Sequence, residues 1–134
     1  MYEWNEGLNL NIATIDVQHR KIVDCMNLLH GGLVGGEREK VVADVLRYLE
    51  FYAKTHFTYE EEVMKFFHYP DLTRHEELHR SFNERLDGLI EKFNTTNVPS
   101  VTKLLIFLQE WITNHIAVED RKIAAYLEEN QVQI

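Results

Sequence analysis

The stretch HFTYEEEVMKFFHYPDLTRHEELH, residues 56–79, decides the reading of this chain. It holds two pairs of ligand-type residues four apart, His56/Glu60 and His75/His79, on either side of the turn signal Tyr69-Pro70-Asp71. Residues four apart share one face of an α-helix. Both pairs interrupt apolar stripes of helical period. Leu49, Tyr52, Ala53, Val63 and Met64 flank the first pair, and Leu72, Phe82, Leu86, Leu89 and Phe93 flank the second. Pro70 cannot continue a helix. The chain therefore doubles back, and both pairs come to the same end of a helical hairpin.

Working outward, the same pattern recurs on each side. Toward the N-terminus the stripe is Ile12, Ile15, His19, Ile22, Val23, Met26 and Leu29, with Asn11 as a plausible N-cap. Gly31-Gly32 and Gly35-Gly36 punctuate its end. Toward the C-terminus, after the loop Asn94–Pro99, the stripe is Val101, Leu104, Leu105, Leu108, Ile112, His115, Ile116 and Ile123, and Pro99 suits a first helical turn. Helices are expected over about 12–31, 38–67, 72–94 and 99–128. Short connections make neighbours antiparallel, so the expected fold is all-α, an up-down-up-down four-helix bundle. Residues 1–134 form one domain, with 1–11 as an N-terminal arm pinned by Trp4 and Leu8.

Composition excludes several classes. The chain has 134 residues and a net charge of -8. An acidic chain lacks the electrostatic footprint for nucleic acid and gains nothing at an anionic membrane surface. No apolar run approaches the roughly 20 residues a membrane span needs. The acidic N-terminus has no apolar core of a signal peptide, and the lone Cys25 permits no internal disulfide. A cytoplasmic monomer is expected.

Polar residues on a core face are costly unless paired. Here His19, His56, Glu60, His75, His79 and His115 stand in the stripes, with Asp120 shortly after, and no lysine or arginine among them. At about 1.5 Å rise per residue the four sites come to one end of an antiparallel bundle. A metal satisfies them together. The set has no thiolate, unlike a cysteine-type structural zinc site, and seven ligands exceed what one tetrahedral zinc takes. Imidazoles with carboxylates suit iron, and two carboxylates can bridge two ions. Ferritin-like bundles use mostly glutamates with two histidines. A site richer in nitrogen and poorer in anions favours the ferrous state, which is chemistry for holding oxygen rather than splitting it.

The set His19, His56-x3-Glu60, His75-x3-His79, His115-x4-Asp120 resembles the hemerythrin signature, over essentially the whole chain. Asp16-Val17-Gln18-His19, the run His56-Phe57 to Met64, Tyr69-Pro70 and Trp111-x3-His115-Ile116 resemble the bacterial branch of that family. The resemblance implies that His75, His79 and His115 hold one non-haem iron and that His19 and His56 hold the other. Glu60 and Asp120 would bridge both ions, together with an oxo or hydroxo group. It further implies reversible dioxygen binding at the second iron, as a carrier, store or supplier, with no catalytic residue. A di-iron enzyme handling peroxide or nitric oxide, and an oxygen or redox sensor domain, are the alternatives. No extra carboxylate or lysine in the stripes serves as a proton relay for an enzyme, and a downstream oxygen-using enzyme would be the partner of a supplier. Ile22, Val23, Phe57, Trp111 and Ile112, also ordinary core residues, are the candidates for the oxygen pocket.

Other residues read more plainly. His30 faces as His19 does but lies about 16 Å along the axis, and His68 sits beside a turn; both are solvated or capping. Cys25 is a small semi-buried hydrophobe. Asp16 is either a hydrogen-bond partner behind a ligand or a first-turn helix acid. Glu61 and Glu62 are expected in solvent. One spacing does not fit a regular helix. His115 and Asp120 are five apart, about 140° around an α-helix. Asp120 reaches the other ligands only if the helix is distorted over residues 116–119, with a π-type turn or kink that small Ala117 permits. Asp120 would then turn inward and Glu119 outward.

Overall fold

The computed structural model describes residues 3, 4, 6–96 and 101–132. Pro99, expected to open the fourth helix, lies outside them. Among the described residues there is no strand. A short 3₁₀ turn, Glu6–Leu8, precedes α1 (Ala13–Gly35), α2 (Arg38–Phe66), α3 (Leu72–Thr96) and α4, which runs unbroken over 101–129. Helix α1 packs against α2 and α4, and α2 against α3. The ring closes between α3 and α4 through the Arg74–Glu119 and Arg85–Glu110 ion pairs and the Phe82–Phe107 ring contact. This is the expected up-down-up-down bundle.

The core is split in two. Ile22, Met26, Leu29, Leu49, Tyr52, Phe82, Leu104 and Leu108 belong to one buried apolar cluster. Leu10, Ile12, Ile15, Val63, Met64, Ile123 and Leu127 belong to a second, at the end where the arm crosses. On α1 the boundary between them falls at His19, on α2 at His56 and Glu60, and on α4 between Ile116 and Ile123. The polar residues of the stripes therefore form a layer between two apolar blocks.

Two helix ends differ from expectation. Helix α1 continues through Gly31-Gly32 to Gly35. A Cβ on Gly32 would stand 2.9 Å from the Val41 side chain, so glycine lets α1 and α2 approach here. Packing thus outweighs the poor helix propensity of glycine. The helix stops one turn later, where Gly36 takes φ 81 and its N–H donates to the Gly32 carbonyl, a left-handed C-terminal cap. At the other end Asn11 is not the cap. It adopts φ 62, and Ile12 occupies the cap position without a side-chain bond. The arm is held by buried Leu10 and Ile12 and by half-buried Leu8. Trp4 donates to Asn9 Oδ1 at 2.9 Å, and the Arg121 guanidinium donates to the carbonyls of Gly7 and Asn9. His30 and His68 are both exposed. Across the far turn, the Tyr126 hydroxyl donates to the Phe67 carbonyl at 2.7 Å, tying α4 to the α2–α3 connection.

Candidate metal centre

The layer contains His19 from α1, His56 and Glu60 from α2, His75 and His79 from α3, and His115 and Asp120 from α4, all between 0% and 4% exposed. Helix period alone brings the first six together. Asp120 needs more. Residues Trp111–Asp120 are π-helical, and regular α-helix resumes at Arg121. The wider π turn brings residues five apart onto one face, and Asp120 is fully buried beside His115, with Oδ1 3.0 Å from Nε2. The distortion is longer than the four residues expected from the spacing. Glu119 does not turn fully outward. Its side chain is 13% exposed and is held by Arg74, with a second contact to Lys122 at 3.6 Å. Arg74 fixes Glu119 on the α3 side, so the residue after it points into the layer.

The donor atoms fall into two overlapping groups. Glu60, His75, His79, His115 and Asp120 bring one ligand atom each within 4.8 Å of one another, and so do His19, His56, Glu60 and Asp120. The two carboxylates belong to both. Each imidazole turns Nε2 toward the layer: His75 and His79 lie 2.7 and 3.1 Å from Glu60 Oε1, His56 lies 3.3 Å from Glu60 Oε2, and His19 lies 3.1 Å from Asp120 Oδ2. The Nε2 atoms of His19 and His56 face each other at 3.2 Å.

These contacts do not satisfy the polar atoms. Glu60 Oε2, His115 Nε2 and both Asp120 oxygens are buried without a hydrogen-bond partner, a state that costs about 1–3 kcal/mol per group. No lysine or arginine is buried among the described residues. Close donors, orphaned atoms and no internal counter-charge fit divalent cations. Protons answer the same demand. Burial works to raise the Glu60 carboxyl, but His56, His75 and His79 outweigh it and hold it well below the ordinary carboxylate range. Burial and Glu60 likewise work to raise Asp120, and His115 and His19 carry it down. Burial pulls His75 down, yet Asp120 and Glu60 lift it to about 9. Burial prevails at His115, which stays below the ordinary imidazole range.

Outside the layer, two Nδ1 atoms have specific acceptors. His56 Nδ1 donates to Gln18 Oε1 at 2.5 Å, and His79 Nδ1 donates to Glu61 Oε2 at 2.8 Å. Glu61 was expected in solvent, but it is 23% exposed and engaged, whereas Glu62 is exposed. Gln18 carries no periodic signal, because it stands off the stripe and serves a residue on another helix. Of the two readings of Asp16, the structure favours the first-turn acid: Oδ1 accepts from the Leu10 N–H at 2.8 Å, fastening the arm. Aromatic rings cover the imidazoles. Tyr52 stacks on His56 at 4.8 Å and 13°, Phe57 on His79 at 3.9 Å and 3°, and Trp111 on His115 at 3.7 Å and 8°. Trp111 Nε1 donates to the Tyr52 hydroxyl at 3.2 Å. The five pocket candidates divide between the buried core and a groove, with Ile112 at both. Phe57 and Trp111 back the three-histidine group, and Ile22 lies in the core with them. Val23 and Ile112, with Leu8, Met26 and Ala117, line a groove of about 360 Å³ between α1 and α4.

Comparison with known proteins agrees with this geometry. Residues 10–127 match the hemerythrin HHE cation binding domain. The chain is 32% identical to a bacteriohemerythrin of Stenotrophomonas maltophilia over 121 residues, covering 90% of this chain and 78% of that one. A bacteriohemerythrin of Clostridium acetobutylicum is 28% identical, covering 91% of this chain and 98% of its own. A myohemerythrin of Theromyzon tessulatum is also 28% identical, covering 90% and 89%.

Proposed function

The chain belongs to the hemerythrin family, and from that membership we propose that it binds dioxygen reversibly at two non-haem irons held in the buried polar layer. The observation that carries the reading is the pair of donor groups sharing Glu60 and Asp120. His75, His79 and His115 would hold one ion, His19 and His56 the other, and the two carboxylates both. The two-histidine group is one donor short of its neighbour and so leaves room for an exogenous ligand. When loaded, the iron pair supplies reversible two-electron chemistry toward dioxygen.

The protein's own part is placement and exclusion. Gln18 and Glu61 hold the Nδ1 protons of His56 and His79, which leaves the Nε2 lone pairs free to face inward. Apolar blocks above and below the layer, and the rings of Tyr52, Phe57 and Trp111, keep water from it. We take the groove between α1 and α4 as the side from which dioxygen arrives, with Val23 and Ile112 on its wall and Ile22 behind. Five imidazole donors against two carboxylates suit binding better than oxidative catalysis.

The test is metal analysis followed by oxygen titration of the reduced protein and degassing. Two irons per chain and a visible charge-transfer band that appears with oxygen and fades on degassing are expected. A single ion, zinc that iron cannot displace, or irreversible oxidation without a stable adduct would overturn the reading.

A further inference from the structure

Gln18 and Glu61 are sequence neighbours of the ligands His19 and Glu60, yet neither serves its own helix. Gln18 on α1 accepts from His56 on α2, and Glu61 on α2 accepts from His79 on α3. The two acceptors differ in charge. A carboxylate bond to an imidazole N–H is roughly twice as strong as a neutral one. It draws the Nδ1 proton outward and enriches Nε2, the atom that faces the layer. An amide oxygen fixes the same tautomer with less effect on basicity. The remaining imidazole of the two-histidine group, His19, has a buried Nδ1 with no partner.

We propose that Glu61 and Gln18 are positioning residues that make the two halves of the centre unequal, with Glu61 strengthening the three-histidine half through His79 and Gln18 keeping the two-histidine half weak through His56. The asymmetry then lies in the outer hydrogen bonds as well as in ligand number. The three-histidine half retains its ion and stabilises its higher charge. The two-histidine half, with neutral support only, holds its ion more loosely and returns more readily to the lower charge. This inference rests on the two-metal reading above, and its consequence for oxygen release rests on the dioxygen reading.

Cobalt(II) serves as the probe, because its visible absorption reports binding without oxygen chemistry. The full chain, stripped of metal, is titrated as wild type, Glu61→Gln, Glu61→Asp, Gln18→Glu and the Glu61→Gln/Gln18→Glu double variant. Outer-partner changes elsewhere alter metal affinity by about 10- to 100-fold. Two unequal affinities are expected for wild type. Glu61→Gln is expected to weaken the tighter one by about 10-fold or more, with Glu61→Asp retaining part of it. Gln18→Glu is expected to tighten the weaker one and shift its bands, and the double variant to narrow or invert the difference. Urea unfolding of each metal-free variant separates this from a purely structural bond, which would lower stability and leave the cobalt spectra unmoved. If Glu61→Gln does not fold, Gln18→Glu carries the decision. Affinities and spectra unchanged in the folded variants, or both sites moved equally, would overturn the proposal. Unequal cobalt sites that respond as stated, in a protein whose iron form makes no reversible oxygen adduct, would sink the dioxygen reading and leave this inference standing. A normal adduct with silent variants would do the reverse.

Discussion

Removing one residue from the π-helical segment should cost the metal-free protein almost nothing and yet damage metal binding. At about 100° per residue, a regular α-helix starting from His115 would place Asp120, Ile123 and Leu127 about 140°, 80° and 120° away from it. All three are buried, at 0%, 2% and 4% exposure, so the segment absorbs one surplus residue. Deleting Val118, which is 46% exposed, makes the same three about 40°, 20° and 20° from His115 in an ordinary α-helix. The apolar stripe then runs without a break. The expected change in urea-unfolding free energy of chelator-treated protein is no more than about 1 kcal/mol, against about 3–6 kcal/mol if Ile123 and Leu127 lost their burial.

Metal binding should respond differently. The deletion shifts Asp120 by about 1.5 Å along the axis relative to the other ligands, whereas metal–ligand distances tolerate about 0.2 Å. The stabilisation that metal brings should therefore shrink sharply. Deleting exposed Asn83 from regular α3 is the control. No surplus residue exists there, so buried Leu86 and the half-buried Leu89 and Ile90 rotate about 100° off the core, and several kcal/mol should be lost. If the Val118 deletion costs as much as the Asn83 deletion, or leaves metal affinity unchanged, the account of the π segment is wrong.

Three further outcomes follow from the structure. Metal removal should lower the unfolding temperature markedly, because binding favours the folded state and relieves the orphaned atoms of the layer; identical calorimetric melts with and without metal would contradict this. Gly32→Ala should lose up to about 2 kcal/mol in urea unfolding, since overpacking against Val41 costs about 1–3 kcal/mol and the helix-propensity gain returns about 1 kcal/mol. Gly31→Ala, with open space around it, should instead gain stability. The Cys25 thiol, pushed up to about 12 by burial and then by Asp24, should resist alkylation at pH 8 until urea unfolds the chain. Because its folded value lies above the unfolded one, its contribution to stability is whole below the ordinary thiol range and falls as pH climbs through it. Rapid stoichiometric labelling of native protein would refute the burial.

The legibility of this protein in its sequence follows from where each signal resides. Six of the seven layer residues are visible because a helix repeats its own period, so His19, His56 and His75 stand out as polar entries in stripes that are otherwise apolar; Asp120, five residues after His115, falls outside that period. The end of α1 was not visible, because Gly31-Gly32 reads as punctuation until Val41 on another helix is known to lie against Gly32. Glu61 and Gln18 were invisible for the same reason. Each is off the stripe of its own helix, and its meaning comes from an imidazole 18 or 38 residues away.

The π segment shows the converse. Its cause lies within a single helix, so it was readable as a conflict between two local facts: a core-facing His115, and an acid five residues later that must also face inward. The apolar residues beyond make the same demand independently. Ile123 and Leu127 are in register with Asp120 but out of register with Trp111 and His115 for any unbroken α-helix. An extra residue rotates everything C-terminal to it, so Asp120, Ile123 and Leu127 turn together. Here the whole C-terminal part of α4 is rotated with Asp120, and the second apolar cluster is built on that rotated face. The distortion is therefore required by the fold at the arm end as well as by the centre, and it should persist in the protein stripped of metal.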